Sequence, residues 1–164
     1  MKVAIAQAAP VFLDRDATLA KACDWVRQAA NAGAKIVAFG ETFAPAYPFW
    51  TARMDGSRWN ADDQKDLHAL YLSQGVRMED LAELQAVCAE GEIACVIGVA
   101  ERERTTLYAS AVTILPDGEI GSVHRKLVPT FEEKFSWGYG DANGLVTHPS
   151  GGECVLGSLN CWEN

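Results

Sequence analysis

Three observations predict that residues 1–164 fold as one α/β domain. An apolar run, a helical pattern and a second apolar run follow one another within the first forty residues. A later series of short apolar runs is punctuated by the turn-forming Pro116-Asp117-Gly118. Hydrophobic residues make up 49% of the 164, enough for a substantial core, and no internal repeat, low-complexity stretch or linker marks a second domain.

Residues 2–8 read as a buried strand. After the polar Asp14-Arg15-Asp16, the residues Leu19, Cys23, Val26 and Ala30 recur at helical spacing up to Gly33, and residues 35–40 form a second apolar run. This β-α-β unit is expected to hold two adjacent, parallel strands. Residues 42–60 carry Phe43, Pro45, Tyr47, Pro48, Phe49, Trp50 and Trp59 without periodicity, the pattern of a long irregular loop of the kind that carries function. Two helices are expected next. The second shows Met78, Leu81, Leu84 and Cys88 on one face, acidic Glu79 and Asp80 in its first turn, and Gly91 at its end.

Residues 93–99, 107–115 and 119–123 read as three strands, and here the pairing is expected to turn antiparallel. Residues 130–152 hold five glycines among Phe131, Phe135, Trp137 and Tyr139, which predicts a loop with one helical turn. Residues 155–159 read as a last short strand.

Charge narrows the function. The 22 acidic residues outnumber 14 basic ones, for a formal net charge of −8, so no basic footprint exists for nucleic acid or anionic lipid. No run approaches the roughly 20 apolar residues of a membrane helix. With no signal-peptide pattern after Met1, a cytoplasmic protein is expected. The five cysteines, Cys23, Cys88, Cys95, Cys154 and Cys161, include no C-x-x-C pair, which suits reduced thiols better than disulfides or a zinc site.

Three reactive residues fall just past predicted strands: Glu41, Lys126 and Cys161. Strand ends in open α/β sheets face a common crevice, where side chains far apart in sequence can meet. A thiolate attacks electrophilic carbon, a carboxylate takes the thiol proton and activates water, and an ammonium stabilises negative charge on a substrate heteroatom. No metal or cofactor is required. The amide N–H of Trp162 is a natural second donor to that charge.

Four blocks carry a family resemblance: G-E-T-F-A-P-A-Y-P-F-W from Gly40, H-R-K-L-V-P-T from His124, E-K-F-S-W-G-Y-G-D from Glu133 and L-N-C-W-E-N from Leu159. Together they resemble the signature blocks of the nitrilase branch of the nitrilase, or carbon–nitrogen hydrolase, superfamily. The opening M-K-V-A-I-A-Q-A-A-P is also similar to that family's first strand.

The resemblance implies Glu41 as general base, Lys126 as charge-stabilising cation, Cys161 as nucleophile and Glu133 as a second glutamate orienting the site. It implies an α-β-β-α sandwich, of which this chain is the N-terminal half ending just past the nucleophile, and homodimers or larger spiral homo-oligomers. The reaction implied is hydrolysis of a small nitrile to a carboxylic acid and ammonia through a thioimidate and an acyl-enzyme. Amidase relatives commonly carry Asp two places after the cysteine, so Glu163 favours nitrile substrates. The alternatives are an amidase or cyanide-degrading member, or a truncated, non-catalytic assembly subunit.

Blander readings stand beside these. Taken singly, Glu41 and Lys126 read as surface residues, with Lys126 and Arg125 an exposed basic pair, and a lone Cys161 as packing. Cys23, Cys88 and Cys95 read as core, while Cys154 is open and leans structural. Glu133 is chosen over its neighbour Glu132 because its spacing to Trp137-Gly138 matches the block that carries the family resemblance. Tyr47, Phe49, Trp50, Trp137 and Trp162 suit a pocket, a subunit contact or a core equally well. His68 reads as solvated, and neither His124 nor His148 has a cysteine-protease context.

Overall fold

The computed structural model describes residues 1–54, 56–150 and 154–163. Strand β1 (Val3–Ala6), helix α1 (Arg15–Asn31) and strand β2 (Ile36–Phe39) form the expected unit, with the strands parallel and Val3 opposite Ile36. Asp14 starts α1: its side chain accepts from Ala17 N at 2.9 Å, satisfying one of the N–H groups that a helix start leaves open. Leu19, Cys23 and Val26 turn into the core, as their spacing predicts.

The first strand departs from expectation in one respect. It is half-buried rather than buried, because Val3 and Ile5 are 53% and 83% exposed while Ala4 and Ala6 face the core. Side chains alternate along a strand, and α1 covers only one face of this edge strand. A continuous apolar run therefore marked two faces, one of them uncovered among the described residues.

Helix α2 (Asp62–Ser73) is followed by a 3-10 turn at Met78–Leu81 that leads into α3 (Ala82–Gly91). The predicted stripe runs across the join, with Leu81, Leu84 and Cys88 buried and Met78 packed at the margin. Gly91 is the last residue of α3, at the end where it was expected, and it also serves close approach. A Cβ there would lie 2.8 Å from Ala30 Cβ, so the glycine lets α3 rest on α1, while the left-handed reversal falls on Glu92 (φ 44°). His68, on α2, is half-buried with its ring 6.1 Å from that of Trp50, not solvated, and burial lowers its pKa.

Strands β3 (Ala94–Glu103), β4 (Thr106–Ile114) and β5 (Ile120–Arg125) complete a sheet of order β1-β2-β3-β4-β5. β2 and β3 are parallel, and the two pairings that follow are antiparallel. Two reversals make β5 run in the same direction as β2, so their carboxyl ends lie at one end of the sheet. Helices α1 and α3 cover one face over Val37, Cys95, Ile97, Val112 and Ile114. A second cluster of Trp50, Tyr71, Ala100, Leu107, Ala109 and Trp137 forms beside it. None of the helices of the described residues is long and apolar enough to cross a membrane.

Residues 42–60 are irregular, as predicted, with one 3-10 turn at Gly56–Arg58; Asp55 lies outside the described residues. The segment is nonetheless pinned to β3: Ala44 N donates to Gly98 O at 3.2 Å, and Ala100 N donates to Ala44 O at 2.8 Å. Close approach depends on Gly98, where a Cβ would lie 2.2 Å from Gly40 O and 2.8 Å from Glu41 Cα.

In the span 130–152, the expected helical turn is a 3-10 turn at Phe131–Phe135. A strand not foreseen there, β6 (Thr147–Pro149), pairs with β7 (Val155–Gly157) in a separate two-stranded sheet; Gly151 and Gly152 lie outside the described residues. Three residues ending in proline carry no readable period, and β6 is fixed instead by pairing and by His148 Nε2, 3.0 Å from Ser122 Oγ.

Replacing Gly98 by Ala should push residues 40–42 off β3, lowering the stability of the intact protein by about 1–3 kcal/mol. Urea unfolding reads this directly; an unchanged midpoint would contradict the close approach.

Candidate active site

Lys126 follows β5 directly, and its N–H still donates to Ala109 O at 2.8 Å, which holds the residue at the strand end. The side chain is 2% exposed, so its ammonium needs partners. It has two. Nζ donates to Glu41 Oε1 at 2.9 Å and to Glu133 Oε2 at 2.7 Å. Glu41 stands two residues past β2, at the same end of the sheet. Glu133 sits in the 3-10 turn at Phe131–Phe135, where Thr130 N donates to its Oε2 at 2.6 Å.

The remaining oxygen of Glu133 accepts from Tyr47 OH at 2.9 Å. Tyr47 stacks edge-on against Trp137 at 5.5 Å, and the Lys126 ammonium lies 6.0 Å from the Trp137 ring centroid, at the reach of a cation–π contact. Trp137 is fixed in turn, since its Nε1 donates to Tyr71 OH at 3.3 Å and that hydroxyl donates to Ala46 O at 3.1 Å.

Burial works to lower the Lys126 pKa, but the hydrogen bonds and charges of Glu133 and Glu41 outweigh it and hold the group above its ordinary 10.5. The ammonium therefore stays charged at neutral pH. Burial, then the bond to Glu133 and the charges of Glu133, Glu41 and Cys161, push the Tyr47 phenol upward, so it remains a neutral donor.

Cys161 opens the 3-10 turn Cys161–Glu163 and is an exposed free thiol. Its φ of 56° is left-handed, a conformation that costs a non-glycine residue on the order of 1–3 kcal/mol and clusters at functional turns. The Trp162 side chain is 76% exposed; Asn164, the last residue of the C-W-E-N block, lies outside the described residues. A cavity of about 470 Å³ is lined by Lys126, Leu127, Thr130, Phe131, Trp162 and Glu163. Another of about 590 Å³ opens beside Glu41, among Gln7, Phe12, Phe43, Tyr47 and Phe49. A further hollow of about 830 Å³, lined by Met1, Lys35, Glu92 and Asp117, lies at the other end of the strands and is lined by none of the candidate residues.

Glu41, Lys126 and Glu133 are therefore in direct contact, and Cys161 and Trp162 sit on the turn beside them. Glu132 points to solvent. Cys23, Cys88 and Cys95 are buried, and burial raises the Cys23 thiol to about 11; Cys154 is exposed rather than packed. Trp50 and Trp137 are core, whereas Phe49 and Trp162 are exposed. Among the described residues no group of three or more His, Cys, Asp or Glu could hold a metal ion.

Two partners were not legible beforehand. Tyr47 meets Glu133 across 86 residues. Arg125 is not half of an exposed pair: it forms a two-pronged contact with buried Glu101, 2.9 Å from Nε to Oε2, and lies 4.1 Å over the Tyr108 ring. Alternation along β3, β4 and β5 places these three on neighbouring strands, the one signal that pointed to them.

Comparison with known proteins shows the family and the fold. The family model described as carbon-nitrogen hydrolase matches residues 2–164. A nitrilase of Pseudomonas syringae pv. syringae (strain B728a) is 40% identical over 170 residues, covering 100% of this chain and 48% of the relative. An arylacetonitrilase of Aspergillus kawachii (strain NBRC 4308) is 35% identical over 168 residues, covering 100% of this chain and 48% of the relative. The chain thus spans about half the length of these relatives. Among solved structures, a double mutant of the amidase from Nesterenkonia sp. AN1 in complex with acrylamide has the same fold over 86% of this chain and 48% of its own, with a TM-score of 0.59 at 19% identity. The fold seen here is thus half of a nitrilase-type α-β-β-α sandwich.

Removing one partner of a buried ion pair costs about 3–5 kcal/mol. Glu133→Ala should show a loss of that order in urea unfolding of the intact protein. Because the Lys126 pKa is raised on folding, its stabilisation is full below 10.5 and fades as pH rises past that value. Glu133→Gln should shrink the loss of melting temperature that sets in above pH 10.5, because less of the Lys126 stabilisation remains to be lost; superimposable profiles would contradict the assignment.

Proposed function

The chain belongs to the carbon–nitrogen hydrolase family, and on that premise we propose that the intact protein is a nitrilase, converting a small organic nitrile to a carboxylic acid and ammonia. One observation carries the reading: the Lys126 ammonium is buried between Glu41 and Glu133, beside the left-handed turn of Cys161.

In this reading Glu41 takes the Cys161 proton and the thiolate adds to the nitrile carbon, giving a thioimidate. Negative charge developing on nitrogen is met by the Lys126 ammonium and the Trp162 N–H, and the proton that Glu41 took from Cys161 passes to that nitrogen as the bond forms, which returns Glu41 to its carboxylate. A water deprotonated by Glu41 adds to the thioimidate, ammonia leaves, and an acyl-enzyme remains on Cys161 sulfur. A second water, activated in the same way, releases the acid and restores the thiol. Glu133 keeps Lys126 charged and aimed. It does so because Tyr47 OH and Thr130 N hold its own oxygens.

Glu163 at the position where amidase relatives carry Asp supports a nitrile over an amide substrate. The uncharged, aromatic-lined cavity wall at Phe12, Phe43, Tyr47 and Phe49 supports an apolar substituent on that nitrile.

Ammonia release by the intact protein should be measured across aliphatic, aromatic and arylacetonitriles, the corresponding amides and cyanide. Turnover of at least one organic nitrile is expected. Cys161→Ala should fall to background, and Glu41→Gln should lose roughly 10²–10⁴-fold in kcat. Wild-type ammonia release by Cys161→Ala would rule out the proposed nucleophile, and turnover of amides alone would replace nitrile by amide hydrolysis.

A further inference from the structure

The turn carrying Cys161 is tied to the segment carrying Lys126 on both sides of the thiol, by residues that the proposed chemistry does not use. On one side, Asn160 is 4% exposed and its Nδ2 donates to Ala109 O at 3.3 Å, the same carbonyl that accepts from Lys126 N. On the other side, both oxygens of Glu163 are engaged. Leu127 N donates to Oε1 at 2.7 Å, Asn160 N donates to Oε2 at 2.7 Å, and His124 Nε2 lies 2.7 Å from that second oxygen.

A carboxylate only accepts, so His124 Nε2 carries the hydrogen of this contact. The ring is fully buried, and among the described residues its Nδ1 has no hydrogen-bond partner, so the polar contact of this ring is the one with Glu163. Burial pushes the Glu163 pKa up, but the bonds from Leu127 N, His124 and Asn160 N prevail and keep it below the usual carboxylate range. Glu163 is therefore an anion receiving three charge-assisted bonds, two of them from the strand-and-segment that carries Lys126.

Among the described residues, Cys161 and Trp162 have no comparable side-chain hydrogen bond, the Trp162 ring meeting only the edge-on Phe131 ring at 6.3 Å. Cys161 is exposed and strained at φ 56°, and the Trp162 side chain is out in solvent. A strained residue persists only where its surroundings hold it. Glu163, 11% exposed, reaches back to residues 36 and 39 positions earlier in the chain to do so.

We propose that Glu163 is a positioning residue that clips the Cys161 turn to the Lys126 segment, and so sets where the nucleophile stands relative to the cation. The proposal rests on Cys161 being the nucleophile, but not on the substrate being a nitrile.

The test uses the intact protein and Glu163→Gln. The amide can still accept from Leu127 N, but it presents N–H groups toward the N–H donors of His124 and Asn160. Iodoacetamide is the probe, because its carbonyl oxygen can take a hydrogen from Lys126 while its carbon meets Cys161. Peptide mass mapping follows each cysteine, with exposed Cys154 as the internal reference and buried Cys23, Cys88 and Cys95 as reporters of unfolding.

Cys161 labelling in E163Q should fall about tenfold or more relative to Cys154, with the three buried cysteines still protected. The kcat for whichever substrate is turned over should fall in proportion, with KM within about twofold of wild type. His124→Asn, which removes one of the three bonds, should give a smaller loss of the same kind. An unchanged ratio of Cys161 to Cys154 labelling overturns the proposal, as does labelling of the buried cysteines in both variants. If the ratio falls while no nitrile is turned over by the wild type, the nitrile reading fails and the role of Glu163 stands.

Discussion

A single buried ammonium organises this molecule. Lys126 Nζ sits at 2% side-chain exposure between two carboxylates, 2.9 Å from Glu41 and 2.7 Å from Glu133. An unpaired charge in that place would cost several kcal/mol, so both glutamates are structural necessities whatever chemistry they perform. Two carboxylates against one ammonium leave a local excess of negative charge. Tyr47 OH and Thr130 N absorb part of it by donating to Glu133, and this leaves Glu41, at 22% side-chain exposure, as the carboxylate with access to a proton.

The sheet exists in a form that delivers these groups to one place. Two antiparallel pairings return β5 to the direction of β2, and that is why Glu41 and Lys126 emerge at the same end although 85 residues separate them. Gly98 allows the backbone at Glu41 to lie directly on β3. Trp137, locked to Tyr71 and through it to Ala46, floors the site and ties the Glu133 turn to the loop after β2. Arg125, clamped on Glu101 beside Tyr108, fixes the last residue of β5 immediately before Lys126. Packing and site are thus held by the same residues, so a change in the second core cluster should be felt at the ammonium.

Much of this was legible in the residues. The spacing of Leu19, Cys23 and Val26 defined α1, and the two flanking apolar runs are the parallel strands β1 and β2. The strand-end positions of Glu41 and Lys126 were visible, and the choice of Glu133 over Glu132 came from the family resemblance, whose block fixes the spacing to Trp137-Gly138. What was hidden depends on contacts distant in sequence. Burial of Val3 and Ile5 cannot be read from hydrophobicity, because it depends on what covers the second face of β1. The short β6 exists by pairing with β7 rather than by its own pattern. Tyr47 looked like any other aromatic in a proline-rich loop until the fold set it against Glu133. Gly91 does end α3, but its second role, leaving room for Ala30 of the neighbouring helix, was not readable from the sequence.

The proposed hydrolysis, with Lys126 held between Glu41 and Glu133, depends on a covalent bond forming at the Cys161 sulfur. Acid-quenching the intact protein in the presence of a nitrile that it is found to turn over, followed by peptide mass mapping, reads that bond directly. The acyl or thioimidate increment is expected on the peptide containing Cys161, with exposed Cys154 unmodified. An increment on Cys154, or turnover with no adduct on any cysteine, would contradict the assignment.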